Sequence, residues 1–159
     1  MIPVLLLFIP LVAGILGFFI KEQKAASNWA IVASVVTLIT AIVGIYAMPA
    51  SMHQFEATWL PSIGANFSVA LDGMSKMLVL LTAISMPLIF IATRNNNYSN
   101  PGVFYALMLL AQSGLIGVFI SMDALLFYFF WELALIPVYF LSSIWGGEKR
   151  IAVTFKFFI

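Results

Sequence analysis

The chain alternates between long apolar runs and short polar links. Five runs contain at most one charged residue, and each is close to the roughly 20 residues with which a helix crosses about 30 Å of hydrocarbon. They predict transmembrane helices at residues 1–20, 29–48, 74–93, 102–121 and 124–145, and residues 151–159 begin a sixth apolar segment. The pattern predicts an all-α integral membrane protein that forms a single helical unit.

One link, between the second and third spans, is longer than the others. Residues 59–61 and 67–71 within it mix polar and apolar positions, which predicts a short hairpin at the membrane interface. Asp72 and Asp123 each precede a predicted helix, where an aspartate side chain can accept hydrogen bonds from free backbone N–H groups. His53 and Glu56 lie in the same long link and are expected to be solvated.

The composition excludes most soluble classes of protein. Of 159 residues, 64% are hydrophobic and 8% charged, whereas soluble domains carry about 25% charged residues. The net charge of +1 gives no basic surface for nucleic acid. With no cysteine and one histidine, the chain is expected to hold no iron–sulfur cluster, haem or zinc. It also lacks the glycine-rich phosphate and dinucleotide motifs, so no cofactor is expected in this chain.

Basic residues predict the orientation in the membrane, because they are enriched in cytoplasmic links. Five of them follow the first, third and fifth spans: Lys21, Lys24, Arg94, Lys149 and Arg150. The opposite side has only Lys76, near a span entrance. This asymmetry predicts a multi-pass protein with its N-terminus outside.

Glu132 is the strongest candidate for chemistry. It lies well inside the fifth predicted span, where a charged residue costs about 2.5–3.5 kcal/mol on insertion scales. Tyr128, Tyr139 and Ser143 are spaced so that they share one helix face with it. The four residues, named here the polar stripe, predict a proton-translocating path, and a protonated glutamate in a single structural hydrogen bond is the alternative.

Four further residues have two interpretations each. Pro137 cannot donate to the Leu133 carbonyl, which gives either a functional kink with a free oxygen or a packing kink. Lys156 either extends to the interface or belongs to an internal polar path. Gln112 and Ser113, in the fourth span, are expected to be hydrogen-bond partners between helices rather than transport groups.

The sequence FYFFWELALIPVYFL at residues 127–141 resembles the fifth span of the antiporter-like membrane subunits of respiratory complex I, most closely the NuoM (chain 4) type. The sequences LDGMS at 71–75 and IWGG at 144–147 extend the resemblance, which runs from about residue 59 to the end. Residues 1–58 match in hydropathy only.

The resemblance implies a fold of about fourteen spans containing two inverted repeats, of which this chain would be the N-terminal part. It implies that Glu132 pairs with a lysine on a later span, and that Lys156 lies near the start of the sixth. NADH, FMN, iron–sulfur clusters and quinone would be bound by partner subunits. The other membrane-arm subunits and the lipid bilayer would be the partners, in the bacterial cytoplasmic membrane.

The expected function is therefore proton translocation within a proton-pumping NADH:quinone oxidoreductase. A subunit of a multisubunit cation/proton antiporter is the second reading, and a truncated fragment that does not pump is the third.

The predicted orientation can be tested with two single cysteines in this naturally cysteine-free chain. Cysteines replacing Ser51 and Asn96 should react with a membrane-impermeant reagent from opposite sides of the membrane, Ser51→Cys from outside. Reaction of both from the same side would contradict the predicted topology.

Overall fold

The computed structural model describes residues 1–158, except for the side chain of Ile63. It contains six α-helices and two β-strands. The helices are α1 Ile2–Gly17, α2 Gln23–Tyr46, α3 Gly73–Thr93, α4 Pro101–Ile120, α5 Ala124–Trp145 and α6 Arg150–Phe158. Helices α2 to α5 are long and apolar enough to cross a membrane, and α1 is a shorter apolar helix of 16 residues. The fold is that of a helical membrane protein.

The predicted and observed helix bounds differ most at the start of α2. This helix begins at Gln23 rather than at residue 29, because Gln, Lys and Ala favour a helix even where the sequence is polar. Helix α1 ends at Gly17 rather than at residue 20. In the other spans the bounds agree to within one residue, and Ile159, the last residue of the predicted sixth segment, lies outside the described residues.

The hairpin expected in the long link is present and adds a small sheet to the helices. Strands β1 Gln54–Leu60 and β2 Ala65–Ala70 pair in antiparallel fashion. Gly64 in the connection has φ 72°, a left-handed conformation that glycine adopts without strain. Val69 is 1% exposed and bridges to Ser121, so the hairpin is fixed to the bundle at the link between α4 and α5.

His53 is not solvated, contrary to expectation. Its side chain is 7% exposed, and its Nε2 donates to the Gly44 carbonyl at 2.9 Å. The backbone carbonyl of His53 accepts from Leu71 N at 2.9 Å. Because the chain after α2 folds back over the end of that helix, a polar residue in the link becomes buried.

Both predicted aspartate caps are confirmed. The Asp72 carboxylate accepts from Ser75 N at 2.7 Å at the start of α3. Asp123 accepts from Leu125 N at 2.9 Å and Leu126 N at 3.2 Å at the start of α5. These backbone hydrogen bonds favour the charged form, so they hold the pKa of each carboxyl below its ordinary value of 3.8.

Helix α4 lies at the centre of the bundle and contacts α1, α2, α3 and α5. At Gly114 an added Cβ would lie 2.7 Å from the Cα of Ala134, so α4 and α5 almost touch there. Gly117 faces the ring of Phe130 in the same way. Small residues allow this close approach of helices in a membrane, and here they determine which face of α5 is buried.

The Asp123 cap generates a prediction about acid stability. Asp123→Ala should lower the thermal unfolding midpoint, and Asp123→Asn should lower it less because an amide oxygen also caps. Since the folded-state pKa is depressed, the ionised cap stabilises the protein at neutral pH, and this contribution is lost as the pH falls through the folded-state pKa, below 3.8. Unfolding midpoints measured against pH check both statements. A difference between the wild type and Asp123→Asn that persists unchanged into acid would contradict the second.

Candidate functional site

Helix α5 has one buried face and one exposed face. Its buried side chains pack against α4 and the hairpin: Leu126, Phe130, Ala134 and Pro137. The opposite face is covered by no helix over most of its length in the described chain. Only α6 packs against α5 near its C-terminal end. The site of interest lies on this exposed face.

The four residues of the polar stripe lie on the exposed side of α5, a direction that their spacing did not predict. Tyr128 is 61% exposed, Glu132 is also exposed, and Tyr139 and Ser143 are half-buried. The side chains of Tyr128 and Glu132, one turn apart, are close enough to interact. Glu132 therefore points away from the bundle formed by residues 1–158 and toward the space beside α5.

A groove of about 460 Å³ lies along this face. Its lining combines two of the four stripe residues with four apolar side chains: Glu132, Tyr139, Leu135, Ile136, Phe140 and Phe158. The ring of Phe158 meets that of Tyr139 edge to face, with centroids 5.3 Å apart. The carboxyl of Glu132 thus lies in an open, mostly apolar groove that also contains the phenol of Tyr139.

The sequence reasoning missed the apolar walls of the groove. Leu135 and Ile136 lie three and four residues after Glu132, so helical spacing alone could have placed them on this face. Phe158 belongs to α6, and its position depends on how the link at Gly146 and Gly147 turns the chain back. No sequence pattern indicated that contact.

Pro137 and Lys156 are not brought to the groove. Pro137 is buried on the side of α5 that faces the bundle, so the carbonyl it frees lies away from Glu132. On α6, Thr154 is buried and Phe158 packs on α5. Lys156 is exposed and, by helical geometry, lies on the opposite face of α6.

Proton exchange is the chemistry that this arrangement allows. The groove offers one ionisable carboxyl and the phenol of Tyr139, with Tyr128 one turn before the carboxyl on the same helix, and no nucleophile positioned by a base. Within residues 1–158, no group of three histidine, cysteine or acidic side chains could hold a metal ion. A carboxyl in apolar surroundings changes its protonation with hydration and with nearby charge, and that is the property a proton path requires.

No protein-family model matches the chain, but curated proteins and solved structures do. The chain is 38% identical over its whole length to F(420)H(2) dehydrogenase subunit M from Methanosarcina mazei, covering 33% of that protein. It is 36% identical to NADH-quinone oxidoreductase subunit M from Buchnera aphidicola, with 98% of the chain and 34% of that protein covered. The chain spans about a third of the length of these relatives.

Two solved complexes contain a chain of similar fold. In respiratory complex I from Thermus thermophilus, the matching chain has a TM-score of 0.85 and 27% identity, over 99% of this chain and 32% of that one. In the Mrp complex from Dietzia sp. DQ12-45-1b, the TM-score is 0.77 at 15% identity, over 98% of this chain and 18% of that one. The second likeness shows the fold alone.

The relatives cover this chain from end to end, and the fold agrees with a membrane subunit of complex I. The chain is homologous over its whole length to part of the antiporter-like membrane subunits called subunit M or chain 4, and it belongs to that family.

Proposed function

We propose that this chain is part of a proton-translocating membrane-arm subunit of an NADH:quinone oxidoreductase, and that Glu132 takes up and releases the proton. One observation carries the proposal. Of the six acidic residues, Glu132 alone lies within one of the long helices of the described chain. It faces a groove instead of the packed core, so a proton and a partner charge can reach it.

The polar stripe would guide the proton along α5. Tyr128 lies one turn from Glu132 on the side of the hairpin, and Tyr139 and Ser143 lie on the side of α6. Because phenol and hydroxyl groups both donate and accept hydrogen bonds, they can relay a proton between water and the carboxyl. The supporting role of Pro137 would be a bend that sets the angle of α5, since the buried ring is remote from the groove.

The remainder of the subunit would close the groove. The relatives are about three times as long as this chain, and the family resemblance implies a lysine on a later span as the partner of Glu132. In that arrangement, α1 to α5 are five spans and α6 is the start of a sixth, at the beginning of an inverted-repeat fold. Lys156 would then face helices outside this chain.

Redox chemistry belongs to other subunits in this proposal. NADH, FMN, iron–sulfur clusters and quinone would be held by partners, and this subunit would contact the neighbouring membrane-arm subunits and the bilayer. The electron donor in the names of the relatives differs, F(420)H(2) in one and NADH in another, so the same groove in α5 would work with either donor. We place the subunit in a bacterial cytoplasmic membrane with its N-terminus outside.

A cation/proton antiporter subunit is the second candidate. The fold likeness to the Mrp complex favours it, but at 15% identity it is weaker than the sequence relationship to subunit M proteins. Glu132 would have the same task in both, with a cation gradient instead of electron transfer as the coupled process. A fragment that does not pump is the third candidate.

Replacing the acid should separate transport from assembly. Glu132→Gln keeps the size and hydrogen bonding of the side chain but cannot titrate, so proton pumping by reconstituted vesicles should fall at least about tenfold, as for loss of a proton-transfer group, while the assembled amount stays near normal. Glu132→Asp should be milder. The measurement is NADH-driven proton uptake with immunodetection of the assembled complex. Normal pumping by Glu132→Gln would reduce Glu132 to a structural residue.

Moving the acid should show that the exposed face is the path. In a Glu132→Gln background, Tyr128→Glu keeps a carboxyl on the stripe one turn away, whereas Leu133→Glu rotates it by about 100° into the side chains that pack on the core. Tyr128→Glu should restore more proton uptake than the matched Leu133→Glu. Equal rescue, or better rescue by Leu133→Glu, would mean that the path lies on another face.

A further inference from the structure

Gln112, at the middle of α4, is a buried amide without a partner. The side chain is 0% exposed, and neither Oε1 nor Nε2 has a hydrogen-bond partner among the residues that the structure describes. Its neighbour Ser113 is satisfied, because Oγ donates to the Leu7 carbonyl at 2.9 Å. A buried amide with no hydrogen bond costs a few kcal/mol in an apolar interior, so Gln112 requires an explanation.

A second unpaired group lies on the helix facing Gln112. Pro87 is buried inside α3, and because proline has no N–H, the carbonyl of Ala83 loses its helical donor. Ala83 is itself 0% exposed. The freed oxygen therefore lies within the protein, where lipid and bulk water cannot satisfy it.

The two unpaired groups lie at about the same depth. Phe90 of α3 packs on Tyr105 of α4, with ring centroids 5.9 Å apart. About three turns further along the two helices, Val79 and Ile116 belong to one core cluster. Because α3 and α4 run in opposite directions, the residues between these two contacts, Ala83 and Gln112, are brought to one level.

A third oxygen comes from α2, which contacts both helices. Ser34 is 0% exposed and lies one turn after Ala30, a member of the cluster that contains Tyr105 and Leu109. Its hydroxyl donates to the Ile31 carbonyl at 2.9 Å. Because the hydroxyl proton of Ser34 is used in this bond, its oxygen can only accept a further hydrogen bond.

We propose that ordered water binds between α2, α3 and α4, where the Gln112 amide, the Ala83 carbonyl and the Ser34 hydroxyl hold it. One water donates to the Ala83 carbonyl and Ser34 hydroxyl oxygens and accepts from Nε2 of Gln112, and a second water beside it donates to Oε1 of Gln112. Internal waters make about three such bonds to groups that would otherwise be unsatisfied. The site is separate from the Glu132 groove, because Gln112 and the close α4–α5 contact at Gly114 lie on different sides of α4.

A metal cation fits this site less well than water. The oxygen atoms could approach a cation, but the Nε2 donor of Gln112 would be left without an acceptor. No aspartate or glutamate lies within α2, α3 or α4, so nothing would neutralise the charge at membrane depth. Water satisfies donors and acceptors together without adding charge.

Radiolytic labelling of the full-length subunit in its native membrane complex tests the site directly. X-ray irradiation makes hydroxyl radicals from bound water, which oxidise an adjacent methionine. Met86 lies one turn from Phe90 on the buried face of α3 and is 6% exposed, so a dry interior would leave it unmodified. We expect Met86 to be labelled in the unmodified protein, equally in sodium and in choline buffer, and labelling to be lost in Gln112→Met. Absence of labelling in the unmodified protein, labelling that requires sodium, or labelling retained in Gln112→Met would overturn the proposal.

The unfolding midpoint of Gln112→Met provides a second test, because the change in midpoint should have opposite signs for a hydrated and a dry site. If water binds the amide, Gln112→Met removes the water and leaves the Ala83 carbonyl without a hydrogen bond. The unfolding midpoint should then fall more than in the control Leu109→Met, which changes a fully buried apolar residue. If the amide is dry, removing it is neutral or stabilising, and that result would contradict the proposal.

A double-mutant cycle identifies the partner. Pro87→Ala returns a donor to the Ala83 carbonyl, so its effect on stability should depend on whether Gln112 is present. Pro10→Ala makes the same change at another buried proline, in α1, and its effect should add to that of Gln112→Met. Additive effects on stability in both pairs would contradict the assignment of the Ala83 carbonyl as a partner of the water. A direct bond from Gln112 to Ala83 would also give coupling, but without labelling of Met86.

Discussion

The close contact of α4 with α5 is the constraint on which the candidate site depends. Glycines at 114 and 117 bring the two helices together until Ala134 and Phe130 fill the space that larger side chains would need. Lipid is as apolar as a protein core, so packing of this kind, and not the hydrophobic effect, decides which helix faces meet in a membrane. Once Ala134 and Phe130 are buried, the rotation of α5 is fixed and Glu132 must point outward.

This rotation separates two kinds of polar group in the bundle. Among those on the inner faces, Thr37 donates to the Ala33 carbonyl at 2.9 Å and Ser113 to the Leu7 carbonyl at 2.9 Å, whereas Gln112 has no partner among the described residues. Glu132, on the outer face, has no comparable partner on another helix of the described chain. The proposal that a residue of a later span pairs with Glu132 agrees with this, since the chain spans about a third of the length of its relatives.

The sequence predicted local features better than it predicted faces. The aspartate caps, the hairpin and the spacing of the stripe depend on neighbouring residues, and each could be worked out from them. The direction of the stripe could not, because every face of α5 is rich in Leu, Phe and Ile, and helical periodicity gives no preference when both surroundings are apolar. The burial of His53 was missed for a related reason, since it depends on where the hairpin folds. Sequence reasoning gave Gln112 and Ser113 the same role, but only Ser113 finds a neighbouring carbonyl.

Gln112 and Ser113 differ in what the neighbouring helices offer them. Toward α1, glycine and alanine shorten the distance, for example at Gly17 and Ala106, and a short hydroxyl reaches the Leu7 backbone. Toward α3, the rings of Phe90 and Tyr105 pack on each other, and about two turns further along α4 the Gln112 amide finds no partner among the described residues. Pro87 on α3 frees the Ala83 carbonyl at that level, so the proposed water would lie on the side of α4 where two polar groups need a partner.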